Sequence, residues 1–204
     1  IVIVRWGTTP TLSDTFGDNS WENIVWACNN NAVPDAWAVG DKKFLQVGSE
    51  NIEVAIADKN HDDLLDGGKA ALTLTMTGIM ITKHNMNNDR TNTGSFYGSN
   101  MYSYLRDTIL PQFPEVVKNN VKTVVKRTSQ GDYSDAIKTD NMPIWLFSAA
   151  ECGLSDGHVV ADEGTVYPYY QTTSNRQKGD TWWLRSPYTS ISYDFCCVSS
   201  AGAI

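Results

Sequence analysis

The sequence has no excess of positive charge. It contains 16 Lys and Arg against 23 Asp and Glu, which gives a formal net charge of -7 at pH 7. Proteins that bind nucleic acids usually need Lys and Arg clustered on a basic surface. We therefore predict no nucleic-acid partner for this chain.

Long apolar runs are also missing. A membrane-spanning helix needs about 20 consecutive apolar residues, and the longest apolar stretches here are no longer than a β-strand. The sequence therefore predicts no membrane span in this chain. A hydrophobic share of 41% and 7 Trp are typical of a folded protein. At 204 residues, we expect one domain over residues 1–204.

Cysteine is scarce and is not arranged for metal binding. The 4 Cys are Cys28, Cys152, Cys196 and Cys197, without a CxxC motif or a Cys/His pattern. We therefore predict no metal site. Neighbouring residues of a strand point to opposite faces, so a bridge between Cys196 and Cys197 is not expected. Free thiols are the first interpretation, and a disulfide between Cys28 and Cys152 is the alternative.

Motifs of catalytic chemistry are absent from the sequence. The 3 His are His61, His84 and His158, and none stands in a nucleophile motif. There is no G-x-S-x-G sequence, no P-loop and no dinucleotide-binding glycine pattern. The sequence predicts no catalytic residues, no cofactor and a function other than that of an enzyme.

An acidic loop over residues 58–68 carries Asp58, Asp62, Asp63 and Asp66. Oxygen ligands of this kind suit calcium, but their order departs from the EF-hand pattern, and acidic loops are most often solvated turns. We favour a solvated turn over a calcium site. We interpret His61 as a hydrogen-bonding turn residue.

Hydrophobic periodicity divides the chain into helices and strands. Serine is favoured at the N-cap of a helix, and both Ser20 and Ser99 precede apolar residues at helical spacing. Apolar or alternating stretches predict strands over residues 1–4, 43–47, 51–57, 70–76, 121–127 and 143–148. A polar loop is expected over residues 129–141, and residues 1–15 are expected to form a lead-in strand and linker. Together these elements indicate the α+β class.

The stretch from Thr181 to Pro187 has the sequence Thr-Trp-Trp-Leu-Arg-Ser-Pro. On a strand, Trp182 and Trp183 face opposite sides, so one can anchor the core while the other packs under a surface loop. Arg185 can pin that loop through hydrogen bonds to backbone carbonyls, and Pro187 prevents simple continuation of the strand. We predict that Trp182, Trp183, Arg185 and Pro187 form a fixed scaffold.

The following residues have a different composition. The segment Tyr188-Thr189-Ser190-Ile191-Ser192-Tyr193-Asp194 mixes Tyr and Ser as recognition loops do. Tyr gives a large contact area at low entropic cost, and Ser adapts its hydrogen bonds. Beyond this loop, alternation predicts a strand in which Val198, Ser200 and Gly202 face away from Cys197, Ser199, Ala201 and Ala203.

This region resembles the C-terminal part of the variable proteins of diversity-generating retroelements, which occur in phages and in bacterial surface proteins. The resemblance lies in Trp182-Trp183-Leu184-Arg185-Ser186-Pro187, the loop after it, and Phe195-Cys196-x-Val198-x-Ser200-x-Gly202. It implies a C-type-lectin-like fold with two main helices, a small core antiparallel sheet and long surface loops. The family normally continues with a closing strand beyond this point, so the resemblance implies that this strand is missing or that the closure differs.

In that family, adenine-directed mutagenesis of Asn codons changes selected positions while the scaffold stays fixed. The resemblance implies a variable ligand-binding region over residues 181–204, with contacts from Tyr188, Thr189, Ser190, Ile191, Ser192, Tyr193, Asp194, Cys197, Ser199, Ala201 and Ala203. Changing both adenines of an AAC or AAT codon cannot give Trp, Met, Lys, Glu or Gln. None of these residue types occurs from Tyr188 to Ile204.

The resemblance implies recognition of a protein or glycan ligand on a target surface. The domain would be extracellular, displayed on a virion or cell surface, and a homo-oligomer is compatible with this role. One alternative is an oxidase like the formylglycine-generating enzymes, which share the lectin-like fold and use a Cys pair; the adjacent Cys196 and Cys197 do not reproduce a separated pair. The other is a structural virion or filament subunit whose tail face packs against neighbours.

Overall fold

The computed structural model describes residues 8–204, and the strand predicted over residues 1–4 lies outside them. Within this part, short helices alternate with three small antiparallel sheets, which confirms the predicted α+β class. None of the helices in this range combines the length and the apolar character that crossing a membrane requires.

The two main helices begin at the predicted caps. Ser20 Oγ accepts the backbone N–H of Asn23 at 3.2 Å, and Ser99 Oγ accepts that of Tyr102 at 3.1 Å. Helices occupy Trp21–Asn29 (α1), Asn100–Tyr104 (α2) and Glu115–Lys118 (α3), with a π turn at Leu105–Ile109 and 3₁₀ turns at Phe16–Asp18, Leu110–Gln112, Ala161–Glu163, Pro168–Gln171 and Thr173–Arg176.

All strand pairs are antiparallel. Strands occupy Lys42–Val47 (β1), Glu50–Asp58 (β2), Thr73–Met76 (β3), Val124–Gly131 (β4), Ser134–Met142 (β5), Trp182–Pro187 (β6) and Phe195–Val198 (β7). They form a three-stranded sheet in the order β1-β2-β3 and two separate pairs, β4-β5 and β6-β7. The strands predicted over residues 43–47 and 51–57 are therefore confirmed, and the one predicted over residues 70–76 is confirmed for Thr73–Met76.

Two predictions in the middle of the chain are wrong. The polar loop expected over residues 129–141 is the end of β4 and all of β5. Most residues of β5 are exposed or half-buried, so polar and apolar side chains do not alternate clearly along this strand. Backbone hydrogen bonds to β4 hold it in place. The strand expected over residues 143–148 is irregular, although Phe147 and Ser148 are buried. This segment is held by single contacts, such as the hydrogen bond from Arg185 N to Phe147 O at 3.0 Å.

Strand β3 buries its hydroxyl face more deeply than its apolar face. Thr73 and Thr75 are 3% exposed, whereas Leu74 and Met76 are half-buried. Thr73 donates to the buried Asp62 carboxylate, and Thr75 shares a hydrogen bond of 2.6 Å with the Tyr170 hydroxyl. Each buried hydroxyl therefore has a partner, as a polar group inside a protein requires.

Strand β6 sends its two tryptophans into different cores, as predicted. Trp182 packs with the cluster around Tyr170, Leu184 and Val198, and its indole N–H donates to Arg176 O at 2.9 Å. Trp183 packs with a second cluster under the loop that contains His84, and its indole N–H donates to His84 O at 3.2 Å. Strand β6 is therefore fixed on both faces immediately before the predicted binding loop.

Candidate functional site

The segment between β6 and β7, residues 188–194, forms a closed loop at the protein surface, called the tail loop below. Strands β6 and β7 pair up to Pro187 and Phe195. The loop is closed by a hydrogen bond from Tyr188 N to Asp194 O at 3.1 Å. The predicted recognition loop is thus a defined turn on a strand pair.

The predicted contact positions are all at least partly exposed. Ser190, Tyr193, Ala201 and Ala203 are exposed, and Tyr188, Thr189, Ile191, Ser192, Asp194, Cys197 and Ser199 are half-buried. Among the predicted scaffold residues, Arg185 and Pro187 are buried, and Trp182 and Trp183 are half-buried. Burial changes abruptly between Pro187 and Tyr188.

The strand predicted to run through Ala203 is wrong beyond Val198. Residues after it form a turn in which Ser199 N donates to Ala203 O at 2.8 Å, and Gly202 adopts a φ of +82°. Cys197 lies within β7, and the other contact positions divide into two groups at opposite ends of this strand, about 10 Å apart for a strand of this length. The tail loop holds the larger group, and Ser199, Ala201 and Ala203 lie on the second turn.

Asn92 holds the tail loop through backbone atoms. This side chain is fully buried, and its amide nitrogen donates to the carbonyls of Tyr188, Ile191 and Asp194 at 3.2, 2.8 and 2.9 Å. Its backbone N–H donates to Ser192 O at 2.8 Å. Since these contacts involve only carbonyl oxygens of the loop, they do not depend on which side chains the loop carries.

The β4-β5 turn lies next to the tail loop. Asn92 Oδ1 accepts the backbone N–H of Asp132 at 2.8 Å. At the preceding Gly131, φ is +74° and a Cβ would lie 2.2 Å from Asn92 O, so only glycine fits this approach. Asp132 and Tyr133 also have positive φ values, 53° and 62°, and the Tyr133 ring is 63% exposed. The turn thus presents an exposed aromatic ring.

The side chains of the tail loop contact exposed neighbours. Asp194 pairs with Arg90 at 3.0 Å, and the Arg90 guanidinium lies 4.3 Å from the centre of the Tyr193 ring. Ser190 Oγ lies 3.2 Å from Nδ1 of His158. These contacts are at the surface, where ion pairs contribute little to stability.

Arg185, by contrast, is at the centre of a buried polar cluster. It is fully buried, pairs with the Glu151 carboxylate, and donates to the carbonyls of Leu146, Arg127 and Glu163 at 3.0, 3.1 and 2.7 Å. The predicted bonds to backbone carbonyls are present, but they hold distant segments and not the tail loop. Arg185 therefore fixes β6 against the middle of the chain.

A second buried cation completes this cluster. Lys126 Nζ lies 2.6 Å from Glu151 Oε1 and 2.7 Å from Asp62 Oδ1. It also donates to the Tyr167 hydroxyl at 3.0 Å. Two cations and two carboxylates thus meet without access to solvent, which indicates a structural role.

The buried carboxyls in this cluster have opposite pKa shifts. Burial alone would raise the pKa of Glu151, but the charges of Arg185 and Lys126 outweigh burial and lower it below the ordinary value. For Glu163, burial dominates and raises the pKa, and Arg185 and the hydrogen bond from Ser186 only partly offset it. Glu151 is therefore the ionised partner of the cations, and Glu163 keeps its proton to a higher pH than an ordinary carboxyl.

The cysteines are all free thiols, so the alternative disulfide between Cys28 and Cys152 is not formed. Burial raises the pKa of each thiol, that of Cys28 to about 11. Thiolate chemistry requires a lowered pKa and access to solvent, and neither Cys196 nor Cys197 combines the two. This arrangement disfavours the oxidase alternative.

The acidic loop over residues 58–68 uses its carboxylates internally. Asp62 is 4% exposed and bonded to Lys126, and Asp63 pairs with Lys69 at 2.7 Å. Within residues 8–204, no three His, Cys, Asp or Glu side chains are grouped so that they could hold a metal ion. His61 forms hydrogen bonds through both ring nitrogens.

The fold and this surface define an α+β domain with a braced surface loop near its C-terminal end. Residues 70–204 match the family described as a domain of unknown function, DUF6273, and the chain belongs to that family. Neither a curated protein nor a solved structure matches the chain.

Sequence reasoning missed the residues that surround the tail loop. Arg90, Asn92 and His158 contact it from distant parts of the chain, and Asp132 bonds the Asn92 side chain that holds it. Asn92 lies in an Asn-rich stretch that looks like an ordinary surface loop. Only the fold distinguishes it from its neighbours.

Proposed function

We propose that this chain is a C-type-lectin-like variable protein of the kind associated with diversity-generating retroelements, which recognises a protein or glycan ligand through the tail loop. Recognition at this surface involves no chemical step. The domain acts outside the cell, displayed on a virion or cell surface, where a homo-oligomer would increase avidity.

One observation carries the proposal: the tail loop is held through its backbone while each of its side chains is exposed or half-buried. Within the tail loop, Asn92 bonds only backbone carbonyl oxygens, those of residues 188, 191, 192 and 194. A scaffold of this kind lets contact residues change while the loop keeps its shape. The Tyr and Ser content of the loop supports the same function.

The first test separates folding from binding. The triple variant Ser190→Ala/Ser192→Ala/Tyr193→Ala is expected to retain its unfolding free energy within about 1.5 kcal/mol, because surface substitutions usually cost about 0.5 kcal/mol or less. Phe44→Ala/Ile81→Ala, at residues that are 56% and 84% exposed elsewhere on the surface, is the matched control. Denaturant unfolding of the three proteins gives the comparison.

Binding is tested with libraries. Randomised codons at Ser190, Ser192 and Tyr193 should yield binders to a purified globular protein or to an immobilised oligosaccharide, whereas randomised Phe44 and Ile81 should not. The proposal fails if the triple variant unfolds, or if the two libraries perform equally.

The neighbouring DNA provides an independent test. We expect a near-copy of the segment that encodes residues 182–204, with Asn codons at the contact positions, beside a reverse transcriptase gene. A locus without that copy would contradict the diversification mechanism and leave the recognition loop to be tested by binding alone.

A further inference from the structure

Three side chains far from the tail loop in sequence form a hydrogen-bonded chain. Asp58 Oδ2 lies 2.7 Å from His61 Nδ1, and His61 Nε2 lies 3.0 Å from Thr165 Oγ1. Asp58 and His61 side chains are 21% and 13% exposed, whereas Thr165 is exposed. The imidazole is thus the least exposed of the three groups, with the hydroxyl on one side and the carboxylate on the other.

The chemistry of the partners sets the direction of these bonds. An ionised carboxylate can only accept, so the neutral His61 ring carries its proton on Nδ1 and donates it to Asp58. Nε2 then holds a lone pair and accepts the Thr165 hydroxyl proton. A hydroxyl bonded to a base that is oriented by a third group is the arrangement that activates a nucleophile.

The base is rigidly positioned. The His61 ring stacks on Tyr167, with ring centres 3.9 Å apart and planes 20° apart. Tyr167 is fully buried, and its hydroxyl donates to Asp62 at 2.6 Å and accepts from Lys126 at 3.0 Å. The buried polar cluster therefore fixes the ring plane of His61, as a catalytic base requires.

The nucleophile lies on the wall of a cavity. A cavity of about 310 Å³ is bounded by Thr165 and by apolar side chains that include Leu154, Val159 and Val166. Within residues 8–204, the backbone N–H groups of Thr165 and Val166 donate to no backbone carbonyl. This volume suits a short apolar acyl chain.

Gly164 brings the chain to this position. Its φ is 147°, and a Cβ there would lie 2.8 Å from Glu151 Cγ, so glycine is required. Backbone conformations that only glycine adopts occur often beside reacting groups.

The geometry points to a second activity of this domain, independent of ligand recognition by the tail loop: hydrolysis of esters of short apolar acyl groups at Thr165. Thr165 Oγ1 attacks the carbonyl carbon and its proton passes to His61 Nε2. The C–O bond to the alcohol breaks, and the alcohol leaves with that proton. Water then attacks the acyl-threonine, passes a proton through His61 back to Thr165 Oγ1, and releases the carboxylic acid. Asp58 is a positioning residue that holds the His61 tautomer.

The experiment uses the purified chain with p-nitrophenyl acetate and p-nitrophenyl butyrate. We expect release of p-nitrophenol and, on rapid acid quench, one acetyl group on the peptide that contains Thr165. Thr165→Val, which keeps the shape without the hydroxyl, should lose the acetyl adduct. His61→Gln should reduce the rate by about 10²-fold or more, the usual contribution of a general base. Thr165→Ser should retain activity.

The controls give each outcome a meaning. Thr165→Val must keep the unfolding midpoint of the native chain, and the tail-loop triple variant should hydrolyse at the native rate. An adduct on another residue, or equal rates for the native chain and Thr165→Val, would overturn the assignment. Neither result bears on recognition by the tail loop.

Discussion

Replacing Glu151 by glutamine is expected to lower the unfolding free energy by about 3–5 kcal/mol, the cost of removing one partner of a buried ion pair. For a chain of this length the melting temperature should fall by roughly 6–20 °C. Glu151 is 2% exposed and contacts both Arg185 and Lys126. In either orientation of the glutamine amide, its NH₂ group faces one of the two cations. Because Arg185 and Lys126 can only donate hydrogen bonds, one of them loses its acceptor.

Glu163→Gln is the matched control for this prediction. Glu163 is also fully buried, but burial raises the pKa of its carboxyl, so the native group keeps its proton to a higher pH than an ordinary carboxyl. Its Oε1 accepts the Ser129 backbone N–H at 2.8 Å and its Oε2 bonds Ser186. An amide can keep both bonds, so the expected loss is about 1 kcal/mol or less. Equal losses in the two variants would contradict the assignment of charge.

The pH dependence distinguishes the same two carboxyls. Because the pKa of Glu151 is lowered by folding, its contribution to the free energy of unfolding is complete above about pH 4.5. This contribution is lost as the pH falls through the pKa of Glu151 in the folded state. Glu163, whose pKa is raised by folding, has the opposite pH dependence. Its contribution to the free energy of unfolding is present below about pH 4.5 and is lost as the pH rises through its pKa in the folded state. Glu163→Gln should therefore gain stability relative to the native chain as the pH rises from about 4 to about 7, in urea titrations.

Asn92→Asp is expected to release the tail loop. The substitution keeps the shape but turns an NH₂ group that donates to the carbonyls of Tyr188, Ile191 and Asp194 into an oxygen that repels them. Leaving such buried groups unpaired costs about 1–3 kcal/mol each, so we expect a loss of at least 2 kcal/mol. Amide hydrogen exchange at Tyr188, whose N–H closes the loop, should become faster by a larger factor than global unfolding explains.

The control for Asn92 lies in the same polar stretch. Asn88→Ala changes an exposed residue and should leave both the stability and the exchange at Tyr188 unchanged. If Asn92→Asp behaves like Asn88→Ala, the tail loop keeps its shape without this brace, and the structural argument for replaceable contact residues fails.

Local signals predicted local structure well. Ser20 and Ser99 fixed the starts of α1 and α2, because an N-cap acts on the next three residues only. The β1-β2 hairpin follows from two strand-like stretches around Gly48. By contrast, β5 has few apolar residues, and it is a strand because β4 provides its hydrogen-bond partners.

The candidate site was predictable only in part. The composition of residues 188–194 indicated a surface loop, since Tyr and Ser favour recognition. Asn92 lies 96 to 102 positions from the carbonyls that it binds, and no local pattern announces such a contact. The same holds for His61 and Thr165, which are 104 positions apart.

The position of Arg185 in the chain has a consequence for synthesis. Its guanidinium partners lie 22 to 58 positions earlier, so on a ribosome Lys126 and the carboxylates of Asp62 and Glu151 emerge before it. Until β6 is synthesised, these charged side chains remain hydrated. Contacts between residues that are far apart in the sequence are slow to form. The tail loop thus lies between β6, which carries Arg185, and β7, whose Phe195, Cys196 and Val198 are buried in the core. A chain that presents this loop in its native shape has therefore paired both strands and closed its interior.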